Sequence, residues 1–238
     1  PVEAPPDLAV DRAAAEAVVA RYRGKNAYLP QADAFALLAA YGIPVPAYAV
    51  ASSAGELDAA ANAVGFPCVL KVDSAEVVHK SDEGGVALGI RDATALREAF
   101  AAMQARFAGR NAAFLVQQQR EPGREVIVGA TESAGLGSLV MFGLGGVFVE
   151  VLKDVAVRVA PLGRPEARAM MRAIKAFPLL EGIRGQAGID LDALEDLLLR
   201  ASRLAADHPA IVEMDLNPVF TYPQGADPVA VDVRIRVR

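Results

Sequence analysis

The chain has 238 residues, 53% apolar and 22% charged, which are globular values and allow one large domain or two lobes. A net charge of −5 and a pI near 5.2 argue against nonspecific nucleic-acid binding. No apolar run reaches the roughly 18 residues of a membrane span, and the single cysteine, Cys68, excludes an internal disulfide framework and suits a reducing cytoplasm.

The start, Pro1-Val2-Glu3-Ala4-Pro5-Pro6, has no signal-peptide character and lacks an initiator Met, as expected of an excised or processed piece. Residues 1–10 read as linker and Asp11 to Tyr22 as an Ala-rich helix. Gln31 to Tyr41 is apolar at helical spacing, stopped by Gly42 and Pro44. An extended passage follows into Tyr48-Ala49-Val50. Ser53-Ala54-Gly55-Glu56 has the pattern of a capping box, with Leu57, Ala60, Ala61 and Val64 lining a helix that Gly65 ends. Cys68–Val72 and Val86–Ile90 read as strands on either side of a polar loop. Asp92 is placed to cap a helix with Leu96, Phe100, Met103 and Phe107 on its apolar face.

Strands dominate the second half: Ala113–Gln118, Glu125–Thr131, Ser138–Phe142, Val147–Leu152 and Val155–Val159. Pro165 fits the first turn of a helix running to about Lys175. Asp190 opens another, with Leu191, Leu194, Leu198 and Ala201 on one face. Ala210–Leu216 and Val229–Val237 close the sheet. Short connections favour an antiparallel or mixed sheet, an α/β (α+β) arrangement, over a βαβ array. A hinge near 110–114 is expected, giving a linker and leading helix over 1–30, a small lobe over 31–113 and a larger lobe over 114–238.

The stretch Val77-Val78-His79-Lys80-Ser81-Asp82-Glu83-Gly84-Gly85-Val86 carries the strongest chemical signal. Imidazole is nucleophilic at neutral pH and can carry a phosphoryl group. Lysines and glycine-loop N–H groups are what a phosphate needs around it, and Lys71 ends the strand just before. Asp82 can orient the imidazole. Lys71 alone also reads as a snorkelling edge residue.

Gln117-Gln118 turns through Glu121-Pro122-Gly123, which can set backbone groups against an adenine edge, with Glu125 able to accept from ribose hydroxyls. An ordinary hairpin with a polar tip explains the same residues. Gly143-Leu144-Gly145-Gly146 reads either as a tight hairpin or as a close-approach surface for nucleotide. Glu150, Lys153, Asp154 and Arg158 follow it, Arg158 as a phosphate partner or all four as surface charges.

In a strand, Glu213, Asp215 and Asn217 share one face, and Asp232 lies fifteen residues after Asn217 in another apolar strand. Oxygen-bearing side chains grouped this way are costly unless solvated or bound to a cation. Mg²⁺ takes one or two carboxylates plus waters and phosphate oxygens. His208, at a helix-to-strand turn, is assigned no role, and Arg184-Gly185 is ambiguous.

Five blocks in this order resemble one family: Phe66 to Lys71, Val78 to Val86, Gly123 to Gly129, Met141 to Arg158, and Glu213 to Pro218. They look like the β-subunit-type ATP-grasp domain of ADP-forming acyl-CoA synthetases, typified by ADP-forming acetate–CoA ligase and related to succinyl-CoA synthetase. The resemblance implies a two-lobed ATP-grasp fold binding ATP or ADP with Mg²⁺. It implies that Lys71 contacts the nucleotide phosphates, that Gln117-Gln118 forms the adenine hinge and that Glu125 meets the ribose. Glu150 and Arg158 join the nucleotide set, while Asn217 and Asp232 hold Mg²⁺ with Asp215 close by. His79 matches the loop histidine that takes phosphate from a partner domain and relays it to ADP. Gln118 departs from the acidic residue common at that hinge, leaving base preference open.

The same resemblance implies a partner: a CoA-binding and ligase domain, or an α-type subunit, carrying a second phosphorylatable histidine. No Rossmann-type glycine fingerprint or second histidine loop occurs here, so the chain alone is not expected to complete the ligase reaction. Two other functions fit the residues less well. A noncatalytic module of a protein acetyltransferase would not need His79, Lys71, Asn217 and Asp232. An ATP-grasp carboxylate–amine ligase would run without a phosphohistidine.

Overall fold

The computed structural model describes residues 4–74, 77, 82–110, 112–146, 154–183, 185 and 187–238. His79, Glu150, Lys153 and Arg184, and with them the expected strand Val147–Leu152, lie outside the described residues. In chain order the elements are α1 (Arg12–Ala20), β1 (Ala27–Tyr28), α2 (Gln31–Ala40), β2 (Tyr48–Ala51), α3 (Leu57–Val64), β3 (Cys68–Asp73), β4 (Val86–Ile90), α4 (Ala93–Arg106) and β5 (Ala113–Gln118). Then come β6 (Arg124–Ser133), β7 (Gly137–Leu144), β8 (Val155–Val159), α5 (Arg164–Arg172), α6 (Phe177–Glu181), α7 (Leu191–Asp207), β9 (Ile211–Thr221), β10 (Val229–Ala230) and β11 (Val233–Val237).

Contacts divide the chain into a smaller unit, residues 28–34 and 46–121, and a larger one, residues 1–27, 35–45 and 122–238. The expected break between 113 and 114 falls at the start of β5, which pairs along its length with β3, so the division lies three residues past the end of β5. The leading helix α1 belongs to the larger unit, as does the stretch 35–45.

The smaller unit is a four-stranded antiparallel sheet in the order β2-β5-β3-β4. Alternation sends Cys68, Leu70, Val72, Phe114 and Val116 to one face, where Leu57, Ala60, Ala61 and Val64 of α3 and Leu96, Phe100 and Met103 of α4 bury them. Asp92 caps α4, its carboxylate accepting from Ala95 N–H at 2.9 Å. Gly65 ends α3 with φ at +81°. The capping box at Ser53 is not formed: its side chain caps nothing, and Glu56 accepts instead from Ser52 N–H at 2.7 Å. A single 3₁₀ turn, Ala54–Glu56, intervenes there before α3 begins, so the Ser-x-x-Glu spacing no longer matches the first α-helical turn.

The larger unit holds the other sheet, in the order β1-β11-β9-β6-β7-β8 with β10 also on β9. The pairings of β6 through β11 are antiparallel. The expected final strand, Val229–Val237, splits into β10 and β11 around Val231 and Asp232. α7 lies across β6, β7 and β9. Leu194, Leu197, Leu198 and Ala201 are buried there, Leu191 only partly. Asp190 caps this helix through Ala193 N–H at 2.9 Å. α5 stops at Arg172, short of Lys175, because the next N–H groups turn to Asp154. Its carboxylate accepts from Lys175 at 2.8 Å and Ala176 at 2.7 Å, leading into α6. Asp154 is therefore a structural cap rather than a surface charge.

Candidate nucleotide site

In the smaller unit, the sheet face opposite α3 and α4 carries Val69, Lys71, Asp73, Leu115 and Gln117. Register places Lys71 against Leu115 and Val69 against Gln117, so Lys71 and Gln117 are diagonal neighbours. Both are buried, at 7% and 2% exposure. Lysine is rarely held this deep in a strand, and an edge snorkel does not describe it. Asp73, two residues on, accepts from Gln31 N–H and, at 3.2 Å, from Ala32 N–H, fixing the first turn of α2. Gln118 turns to the opposite face, across from Cys68. The hinge backbone is tied within the unit: Gln118 N–H donates to Ala47 at 2.8 Å and Gln119 N–H to Pro67 at 3.0 Å.

The loop glycines behave differently from the expected anion cradle. Gly85 closes the ladder, its carbonyl accepting from Val72 N–H at 2.8 Å. Gly84 sits at φ +69°, and a Cβ there would come within 2.9 Å of the Arg106 guanidinium. What approaches Gly84 is thus a cation from α4.

In the larger unit, Glu213, Asp215 and Asn217 alternate with Met214 and Leu216, which are buried at 1% and 0%. The three oxygen-bearing side chains therefore share the face away from that core, as their spacing predicts. β11 runs beside them and forms three rungs. Arg236 lies opposite Glu213, with Nε to Oε2 at 3.2 Å, and Arg234 opposite Asp215. At the end, Asn217 N–H donates to the Asp232 carbonyl at 3.1 Å. The first two rungs set arginine against carboxylate; the last sets an amide oxygen beside a carboxylate. Burial raises the Asp215 pKa, Arg234 lowers it, and the nearby charges of Asp232 and Glu213 raise it again, for a net rise.

Glu125, on β6, is held by a close approach. Gly145 N–H donates to the Glu125 carbonyl at 2.8 Å, and a Cβ on Gly145 would fall 2.7 Å from Glu125 Cβ. Gly146, at φ +71°, lies by the Glu125 carboxylate, which a Cβ there would meet at 3.5 Å. The glycine run is needed first for chain-to-chain packing beside Glu125.

Arg158 does not join this group. It pairs in register with Val140, which is fully buried on the helix side, while its neighbours Val157 and Val159 are exposed. Alternation puts Arg158 on the face opposite Asp215 and Asn217, with Nη1 donating to the Val157 carbonyl at 2.8 Å.

Sequence reasoning missed two buried polar clusters. His208 is buried, with Nε2 3.1 Å from the Tyr41 hydroxyl and Nδ1 3.6 Å from Glu16; Asp207 accepts from Tyr41 at 2.9 Å. Glu195, 1% exposed, accepts from Arg164 at 2.8 Å and from Arg168. An acidic residue inside the apolar stripe of α7 was the available signal for the second.

Among the described residues, no group of three or more His, Cys, Asp or Glu is placed to hold a metal ion, and no helix is long and apolar enough to cross a membrane. The profile of the ATP-grasp domain matches residues 20–237. The chain is 40% identical over 232 residues to the β subunit of acetate–CoA ligase (ADP-forming) I of Pyrococcus furiosus, covering 95% of this chain and 99% of that one. It is 42% identical over 224 residues to acetate–CoA ligase (ADP-forming) I of Archaeoglobus fulgidus, covering 92% of this chain but 33% of that protein. Acetyl-coenzyme A synthetase 1 of Ca. Korarchaeum cryptofilum matches in structure with a TM-score of 0.77 at 40% identity, over 89% of this chain and 93% of that one. That protein was solved with coenzyme A and Mg-AMPPCP, its phosphohistidine segment pointing towards the nucleotide-binding site.

Proposed function

Since the chain belongs to the ATP-grasp domain family, we propose that it is the nucleotide-binding part of an ADP-forming acyl-CoA synthetase. The fold expected from the sequence, helices with antiparallel sheets, agrees with this membership. The chain spans about a third of the Archaeoglobus ligase and nearly all of the Pyrococcus β subunit. It therefore works with a CoA-binding and ligase partner, fused or separate, that carries its own phosphorylatable histidine. Together they convert acyl-CoA, ADP and phosphate to acid, CoA and ATP, reversibly.

In this chain's step, a ring nitrogen of His79 carries the phosphoryl group. The N–P bond breaks as an ADP β-phosphate oxygen forms the new P–O bond, returning the electron pair to the imidazole. Phosphoryl transfer of this kind depends on positioning and charge neutralisation. Lys71 supplies positive charge to the phosphates, the Gln117-Gln118 strand end receives the adenine edge, and Glu125 accepts from the ribose hydroxyls. Glu150 is kept in the nucleotide set on the resemblance of its block.

The observation that carries the reading is the last rung of the β9–β11 ladder. There Asn217 and Asp232 are linked through the backbone at 3.1 Å, with the half-buried Asp215 two residues before Asn217 on the same face. Two carboxylates and an amide are hard oxygen donors, too few to complete a shell, which is the set Mg²⁺ takes when phosphate oxygens and water provide the rest. Asn217, Asp232 and Asp215 would hold Mg²⁺, which supplies charge neutralisation on the phosphates when bound.

Calorimetry with ADP and ATP, with and without Mg²⁺, tests this on the wild type and Asp232→Ala. The expected result is Mg²⁺-dependent binding that the variant loses. A folded wild type that binds neither nucleotide would overturn the reading.

A further inference from the structure

Helix α5 turns three arginines to one side. Arg164, Arg168 and Arg172 stand four residues apart, each about 40° round the helix from the last, and all are exposed. Ala167, Met170 and Met171 form the buried stripe of the same helix, which packs on α7, β7 and β8.

Two of the arginines are held from within. Glu195 of α7, 1% exposed, accepts from Arg164 at 2.8 Å and from Arg168, and Asp192 lies 3.7 Å from Arg168. A carboxylate that deep fixes both guanidiniums while the side chains stay 47% and 53% exposed. They are ordered before anything binds, which lowers the cost of binding. Arg172 takes no part in that pairing, and among the described residues no carboxylate meets it.

Two adjoining hollows share Arg168 and Arg172. One, of about 550 Å³, continues along α5 to Arg164. The other, of about 390 Å³, adds the apolar side chains of Met171, Phe177 and Leu191, with Glu195 and Asp192 also on its border. Three arginines against those two carboxylates leave one positive charge over, in a chain whose net charge is −5. A single charge matches a carboxylate better than a phosphate dianion, and a guanidinium fork fits its two oxygens. The apolar lining suits a hydrocarbon body on the same molecule.

We propose that the groove between α5 and α7 binds a monocarboxylate with an apolar body. The head lies between Arg168 and Arg172, and the body lies against Met171, Phe177 and Leu191. The groove is on the helix side of the larger sheet, away from Asp215 and Asn217. It is therefore a second site, and it does not depend on the nucleotide reading.

Phenylacetate is the probe, titrated by ligand-observed NMR against the wild type, Arg172→Ala, Leu191→Ser and Lys25→Ala, with thermal unfolding as the check on folding. Phenylacetamide removes the charge, acetate removes the body, and inorganic phosphate offers charge alone. We expect phenylacetate to bind the wild type, with acetate and phenylacetamide at least about tenfold weaker. Arg172→Ala leaves the buried Glu195 pairing intact and should raise the Kd for phenylacetate at least about tenfold. Leu191→Ser should raise it about threefold or more. Lys25→Ala, which removes an exposed cation elsewhere in the same unit, should leave it unchanged.

A folded wild type that does not bind phenylacetate would overturn the proposal, as would Arg172→Ala binding it as tightly as wild type. Phosphate binding more tightly than phenylacetate would overturn the carboxylate assignment and leave a bare cationic surface. Phenylacetamide binding as tightly as phenylacetate would overturn the role of the arginines, and that arm needs no variant.

Discussion

Gly145→Ala should damage the nucleotide site through Glu125. The added Cβ would lie 2.7 Å from Glu125 Cβ, 3.0 Å from its carbonyl carbon and 3.1 Å from its oxygen. Ordinary carbon contact begins near 3.5 Å, so strand β6 and the glycine turn must part by about 0.8 Å at the closest pair. Neither side can yield by a rotamer change, because the struck atoms are Cβ and backbone. Overpacking of this kind costs about 1–3 kcal/mol. In a protein of this size each kcal/mol shifts Tm by about 2–4 °C, so a drop of about 2–12 °C follows. The parting also stretches the 2.8 Å hydrogen bond from Gly145 N–H to Glu125. A misplaced Glu125 carboxylate loses a charged hydrogen bond to ribose worth about 1.5–3 kcal/mol, so the Kd for ADP should rise at least about tenfold. Thermal unfolding and calorimetry measure the two effects, and Glu125→Ala with the double variant completes the cycle. Because both changes act through one contact, their effects on affinity should fall short of additive. A lower Tm with unchanged ADP affinity would refute the ribose assignment, and an unchanged Tm would refute the close approach.

Asn217→Arg should turn the last rung of the β9–β11 ladder into a copy of the other two. The fold should stand, with a cross-strand contribution of about 0.2–1 kcal/mol, while the Mg²⁺-dependent part of nucleotide binding disappears from calorimetry. Glu195 predicts an asymmetry, since it is 1% exposed while Arg164 and Arg168 are about half exposed. Arg164→Ala/Arg168→Ala strands a buried carboxylate and should cost about 3–5 kcal/mol; Glu195→Gln leaves the arginines free to turn to water and should cost less, as denaturant titration would show. His208 gives a pH dependence. Burial holds its pKa below the ordinary 6.5, so the fold favours the neutral ring. Its contribution to stability is complete above that value and declines as pH falls towards the lowered pKa. His208→Gln should flatten the fall in Tm between pH 7 and 5.

Where local chemistry decided the outcome, the sequence was readable. Asp92 and Asp190 cap their helices, Gly65 ends α3, and the strict alternation at Met214 and Leu216 turns Glu213, Asp215 and Asn217 to one face. Readings failed where a distant partner intervened. Asp154 looked like surface charge until the N–H groups of Lys175 and Ala176, more than twenty residues on, took its carboxylate. Gly84 read as room for an anion and the Gly145 run as either a tight hairpin or a nucleotide surface; their neighbours are Arg106 and Glu125. A glycine announces that something comes close; only the fold says what.

In each unit the sheet face turned away from its apolar core carries polar and charged side chains. In the smaller unit that face carries Lys71, a cation held at 7% exposure next to the amide of Gln117. In the larger unit it carries the carboxylates of Asp215 and Asp232, the amide of Asn217 and the guanidinium of Arg234; burial, aided by Asp232 and Glu213 and opposed by Arg234, raises the Asp215 pKa. Under the proposed function these groups have separate tasks: a buried cation suits phosphate oxygens, and carboxylates with an amide suit a divalent cation.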